Sequence, residues 1–187
     1  MSMDIFVRAI AVIVMLALSS AGLADGVDFR RVALTLNDEN MILLDADIEF
    51  SLNETVAEAL DNGVPLTFET HVQMRRADAW VWESDVVEHR LRTVLQYRPL
   101  SAMYELRDLE GARRYSFATR DAALNTLGRI VGMPIIGRDA LDLDEDYLVR
   151  LNVRLDIEAL PIPMRPAAYL KRDWRIASDP WEWRLRP

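Results

Sequence analysis

Between Met41 and Leu52 the chain alternates with a period of two. Ile42, Leu44, Ala46, Ile48, Phe50 and Leu52 fall on one side; Asp45, Asp47, Glu49 and Ser51 fall on the other, where Met41 and Leu43 extend some apolar character. Six successive matches specify an extended strand with one buried and one wet face, because side chains of a strand point alternately to opposite sides. A parallel sheet covered on both faces would instead read as continuous apolar runs. This segment therefore directs the chain towards antiparallel sheets, and the remaining segments are read against it.

The same period recurs. Val32, Leu34 and Leu36 alternate within Arg31–Leu36, and polar Asn37–Asn40 joins that run to Met41, which predicts a hairpin. Leu66, Phe68, Thr70, Val72 and Met74 form the inner face of a strand over 65–75, and His89, Leu91, Thr93, Leu95 and Tyr97 that of a strand over 87–97. Residues 76–85, with Trp80 and Trp82, read either as a loop or as the start of the next strand. Ala102, Tyr104 and Leu106 mark a fifth strand, and a turn at Asp108–Gly111 leads to a short strand over 113–118. Tyr147–Asp156 alternates cleanly, and Trp174–Ser178 with Trp181–Leu185 reads as a closing strand pair or one bulged strand. Two helices are predicted. Asn53 caps the first, over 54–62, which Gly63 ends. Thr119 caps the second, from Arg120 to about Val131, with Ala123, Leu124, Leu127, Ile130 and Val131 as its apolar stripe and Gly132 as its terminator. The stretch from there to Asp146 reads as a loop, and Pro161, Pro163 and Pro166 exclude a regular element over 161–166. The expected fold is mainly β (α+β): an antiparallel β-sandwich or open barrel of seven to nine strands with two short helices.

Not all of the apolar content belongs to that body. Ala9–Ala24 carries no charge, follows Arg8, and ends in the small-residue pattern Gly22-Leu23-Ala24. This is the order of a secretory signal, with cleavage expected after Ala24 and a single β-rich domain over 25–187. The apolar stretch is shorter than the ~20 residues of a spanning helix, so no stable membrane span is expected once the signal is removed. An uncleaved anchor is the alternative. Asp4 and Arg8 would leave together, and the charge of −8 would survive processing. The chain has no cysteine, which rules out disulfides, thiolate chemistry and a lipidated cysteine. Export without disulfides suits a bacterial periplasm. The negative balance argues against nucleic acid as the partner, since phosphate binding needs a basic face.

The search for chemistry returns few candidates. His71 and His89 sit on different predicted strands, His71 with polar neighbours and His89 among leucines, and no hydrolase, metalloprotease or phosphate-loop motif surrounds them. No cofactor motif is present. Asp45, Asp47 and Glu49 share one strand face and could serve as an acid/base pair only if one were buried. Asp142, Asp144, Glu145 and Asp146 have the acid density of a calcium loop but lack its glycine and terminal glutamate. The most distinctive stretch is the C-terminus. Trp174, Trp181 and Trp183 interleave with Arg172, Arg175, Arg184 and Arg186, and alternation places Trp181 and Trp183 on one face. Such residues either close the core or form a binding strip, as tryptophan and arginine are enriched at interface hot spots. The candidate binding residues are Trp174, Arg175, Trp181, Trp183 and Arg184, with no catalytic or metal-ligating residue assigned.

Several stretches carry a family resemblance: Leu44-Asp45-Ala46-Asp47-Ile48, the run Ala57–Leu66, Trp80-Val81-Trp82, Tyr115–Thr119, and Asp173-Trp174 followed by Ala177-Ser178. With them the chain resembles the Domain of Unknown Function 4390 family of exported proteobacterial proteins. The resemblance implies no assigned activity and hence no catalytic residues to carry over. Such genes often neighbour one for a nitrogen-regulation-type sensor kinase, so the resemblance also implies an envelope or inner-membrane protein partner, an inference by association alone. Three functions stay open: a periplasmic binding or interaction module, a carrier of an apolar ligand within the sandwich, and a carboxylate-dependent hydrolase.

Overall fold

The computed structural model describes residues 26–80, 85–111 and 113–186. The expected signal segment and Trp82 lie outside the described residues. The described chain is mainly β, with nine strands in two antiparallel sheets and no closed barrel. β1 (Gly26–Leu36), β2 (Met41–Ser51) and β7 (Arg129–Gly137) form a three-stranded sheet in the order β1-β2-β7. β3 (Leu66–Arg76), β4 (Val87–Arg98), β5 (Met103–Asp108), β6 (Arg114–Phe117), β8 (Tyr147–Leu155) and β9 (Trp181–Leu185) form a six-stranded sheet in the order β6-β5-β4-β3-β8-β9. Three helices, α1 (Glu54–Asp61), α2 (Arg120–Leu127) and α3 (Arg165–Leu170), connect and flank them.

The strongest alternation belongs to the middle strand of the smaller sheet. Ile42, Leu44, Ala46, Ile48 and Phe50 of β2 are all buried, and the β1 partners on the same face are Leu36, Leu34, Val32, Phe29 and Val27. β1 begins five residues before the expected strand, because a bulge between Phe29 and Arg31 breaks the period there and hides its first half. The expected hairpin forms. Asn37 Oδ1 accepts from the amides of Glu39 and Met41, at 3.0 and 2.8 Å, and Asn40 takes the left-handed conformation at φ 59°. On the larger sheet Leu66, Phe68, Val72, Met74, Leu95, Val149, Leu151 and Val153 turn inward and are almost inaccessible. The two sheets meet through Phe50 and Phe68, whose rings stand edge to face at 5.1 Å. α1 seals one end with Val56 and Leu60 fully buried, capped by Asn53 Oδ1, which accepts from the Val56 amide at 3.0 Å.

Three expectations fail. The second helix does not reach Val131; it ends at Leu127 with Gly128 as its cap, and the supposed loop after it begins with β7, paired antiparallel to β2. β7 hides its nature because two register shifts interrupt its pairing and Pro134 lies within it, which a strand tolerates at a sheet edge. The proline-rich stretch is not irregular: a 3₁₀ turn spans Ile162–Met164 and a third helix, α3, starts at Arg165, with Pro166 in its first turn, where the missing N–H is no loss. Trp174–Ser178 is not a full strand. A 3₁₀ turn covers Arg172–Trp174, and only an isolated bridge, Ala177 to Arg154, follows before β9.

Candidate functional site

The five candidate residues of the C-terminus do not form one surface. Trp174 is buried, and so is Ile176. The turn carrying Trp174 is clamped to the start of α1: Asn53 Nδ2 donates to the Asp173 carbonyl at 2.6 Å, and Thr55 Oγ1 donates to Asp173 Oδ2 at 3.2 Å. Trp174 is thus a core anchor. Arg175 lies exposed between these two buried residues. Trp181 and Trp183 share a face of β9, opposite the buried Leu151 and Val149, as alternation requires. That face is the inner one, yet β9 is the last strand of the sheet, so its side chains reach the rim. Trp183 is half-buried, and Trp181 keeps 41% of its surface exposed while its ring meets that of Phe29 on β1 edge-on at 6.1 Å. Arg184 points to the opposite, outer face, across from Leu148.

At the far end of β9 two segments that are separate in sequence come together. Arg186 Nε and Nη2 donate to Asp146 Oδ1 and Oδ2 at 2.8 and 3.0 Å. These hydrogen bonds hold the Asp146 carboxyl below its ordinary range, and the charges of Arg186 and Arg184 act in the same direction. The acidic loop and the C-terminal arginines border a solvent-open hollow of about 630 Å³, lined among others by Asp78, Asp144, Asp146, Arg184 and Arg186. Of the loop's other acids, Asp142 braces the turn: its Oδ1 accepts from the Asp144 amide at 3.0 Å, and its own amide donates to the Tyr147 hydroxyl at 2.9 Å. Sequence proximity alone could not join Asp146 to Arg186; the pairing of Tyr147 with Leu185 brings them together.

The other candidates fall into structural positions. Asp45 Oδ1 accepts from the Gly132 amide at 2.9 Å, filling the bulge of β7. Asp47 is exposed, with Arg31 and Arg129 opposite it on the flanking strands. Glu49 binds Arg30 through both oxygens, at 2.9 and 2.5 Å, and those bonds pull its carboxyl below the usual range. His71 bonds Glu88 at 3.0 Å on the outer face of the six-stranded sheet, and His89 meets the Ile135 carbonyl at 3.2 Å, tying β4 to β7. Among the described residues no group of three His, Asp or Glu side chains converges as a metal site. A second open hollow, of about 490 Å³, lies beside α1 with Glu54, Glu58, Asp61 and Arg120 among its walls. The space between the sheets is occupied by Leu44, Phe68, Leu95 and Leu151, each nearly or fully inaccessible.

Fold and geometry define a sandwich-like antiparallel β protein whose candidate site is a surface at the rim of its larger sheet. A family model described as a domain of unknown function (DUF4390) matches residues 24–184, and the chain belongs to that family. No curated protein and no solved structure matches it. No helix among the described residues is long and apolar enough to cross a membrane.

Proposed function

We propose that this chain is an exported, non-catalytic interaction module of the bacterial envelope, accessory to an inner-membrane sensor kinase, and that the β9 rim engages the protein partner. The observation that carries this is β9 itself. It ends the six-stranded sheet with one backbone edge unpaired among the described residues and sets an exposed Trp181 beside it. An unpaired strand edge offers a row of N–H and C=O groups that a partner segment can extend as a further strand. A tryptophan at the rim adds a large apolar contact at little conformational cost. The hydrogen-bonding and ion-pairing roles of Asp45 and Glu49 weigh against a carboxylate-dependent hydrolase. The filled space between the sheets weighs against an apolar-ligand carrier.

The test is capture from detergent-solubilised envelope membranes by the chain and by its Trp181→Ala variant, whose folding is checked by urea denaturation. The expected result is an inner-membrane sensor kinase retained by the chain and lost with the variant. Equal retention by both, or no retained membrane partner, refutes the reading.

A further inference from the structure

The chain is acidic, yet the outer face of its six-stranded sheet is not. The pairing register places nine arginines on that face, across β3, β4, β5, β6, β8 and β9, against four glutamates. Every one of these glutamates is engaged. Glu88 binds Arg90 at 2.6 Å, Glu105 is shared by Arg98 and Arg114 at 3.0 and 2.9 Å, Glu69 binds Arg154 at 2.8 Å, and Glu182 pairs with Arg150. Arg75, Arg92 and Arg107 lie on the same face and form no ion pair among the described residues, and Arg184 joins them at the β9 rim. At its paired positions the face therefore carries a surplus of five positive charges, with Asp85, whose Oδ2 accepts from Gln73 at 2.8 Å, at its border. Taking it away from the chain's 22 cations and 30 acids leaves 13 cations and 26 acids elsewhere.

This segregation has a physical effect at the surface. The opposing sheet lies about 10 Å away, beyond a Debye length of about 8 Å at physiological salt. An anion approaching the middle of the outer face therefore meets the local arginines before the acids of the opposing sheet, while Asp85 beside Gln73 and the Asp144–Asp146 loop beside Arg184 border the face. Nothing in the described structure packs over most of it: Arg90, Arg98, Arg114 and Arg154 each expose half or more of their side chains.

The geometry points to this face as a docking surface for an anionic phospholipid bilayer. Six strands at ~4.8 Å give a width of roughly 25 Å, and the ten-residue reach from Glu88 to Arg98 gives a length of roughly 30 Å. Guanidinium groups spread over such an area match a plane of lipid phosphates, each able to hold a phosphate by two parallel N–H···O bonds. The alternative polyanions fit less well. Single-stranded nucleic acid binds through stacking platforms, and the paired positions of this face hold no Trp, Tyr or Phe. An acidic protein would need a buried anchor at the centre of its interface, and the central outer positions here are Glu69, His71, Arg90 and Arg92. This surface shares β9 with the rim of the proposed function but presents the opposite side of the sheet from Trp181, and Arg75, Arg92 and Arg107 lie on other strands.

The test is co-sedimentation of the full chain with vesicles of phosphatidylglycerol and phosphatidylcholine in equal parts, and with vesicles of phosphatidylcholine alone. The expected result is partition to the anionic vesicles only, abolished by high salt. Arg75→Glu with Arg92→Glu and Arg107→Glu should lower that partition by about 100-fold or more, from a loss near fivefold per arginine. Because Arg92→Glu faces Glu69, the triple glutamine variant at the same positions is measured beside it and should also bind more weakly. Arg31→Gln with Arg129→Gln, on the other sheet, should bind as the unaltered chain does. Partition of the triple glutamine variant to both kinds of vesicle gives the share carried by the apolar segment 9–24, and the chain's excess over that share on anionic vesicles is the quantity read. No excess on anionic vesicles over the triple glutamine variant, undiminished binding of both triple variants, or preferential binding of polyglutamate or a single-stranded oligonucleotide overturns the proposal.

Discussion

Gly128→Ala separates two accounts of the segment after α2 by the sign of its effect. A helix continuing to Val131 would place Gly128 in its interior, where alanine is favoured by about 1 kcal/mol. In the structure Gly128 caps the helix and lies against the middle strand of the smaller sheet. An added Cβ would stand 1.9 Å from the Ile48 carbonyl oxygen and 3.0 Å from its carbon, against an ordinary contact of 3.4–4 Å. Both neighbours are backbone, so no side chain can swing aside. Relief requires the end of α2 to retreat by more than an ångström, which breaks the Ile48 N–H bond to the Gly128 carbonyl, now 2.9 Å. That bond is worth about 1 kcal/mol, and displacing the buried Ala123 and Leu124 of the helix adds about 1–3 kcal/mol of repacking strain. The sum, about 2–4 kcal/mol, is a large part of a typical domain stability of 5–15 kcal/mol. With a urea m-value near 2 kcal/mol/M, the unfolding midpoint, followed by tryptophan fluorescence, should fall by roughly 1–2 M. Gly132→Ala is the companion measurement. Gly132 has φ +60° and open space around its Cβ position, so alanine there costs only the left-handed backbone, about 1 kcal/mol. A Gly128→Ala chain as stable as the original, or more so, refutes the packing of α2 on β2.

Further outcomes follow from single contacts. Trp174→Ala removes a buried anchor and should cost about 3–5 kcal/mol, whereas Trp181→Ala, at the rim, should cost about 1 kcal/mol or less; urea midpoints of the two decide it. Arg154→Ala leaves the Glu69 carboxylate, 9% exposed, without its cation, and should destabilise by about 1–3 kcal/mol, with Glu69→Gln in the same background restoring part of the loss. The carboxyls of Asp146, Glu49 and Glu88 are all held low, chiefly by hydrogen bonds from Arg186, Arg30 and Arg90. Their contribution to stability is therefore complete above the unfolded values of 3.8 and 4.5 and is lost as pH falls through the lower folded values. The urea midpoint should drop on acidification through that range, and less steeply in an Arg186→Ala, Arg30→Ala double variant; an unchanged acid limb refutes those pairings.

What could be read from the chain alone, and what could not, divides along one physical line. A strand reveals itself when its own residues alternate against one wet and one dry face, and β2, β3, β4 and β8 do so because each lies inside a sheet with pairing on both sides. β7 sits at an edge, carries Pro134, and shifts register twice; its apolar residues Ile130 and Val131 fall where a helix stripe would also place them. The candidate surfaces follow the same line. Trp181 and Trp183 were legible because they are neighbours on one strand. The bond from Arg186 to Asp146 spans 40 residues and exists only because β9 pairs with β8. The arginine face is the extreme case. No single strand contributes more than three of its nine arginines, and in β4 the series Glu88, Arg90, Arg92 looks like any solvated strand face. Hydrogen-bonded register assembles these short series into one surface, and a net charge of −8, summed over the whole chain, erases the asymmetry that the register creates. The sign of a protein's total charge therefore limits its partners only where charge is evenly spread; where register gathers one sign on a face, the charges within a Debye length of the ligand set the attraction.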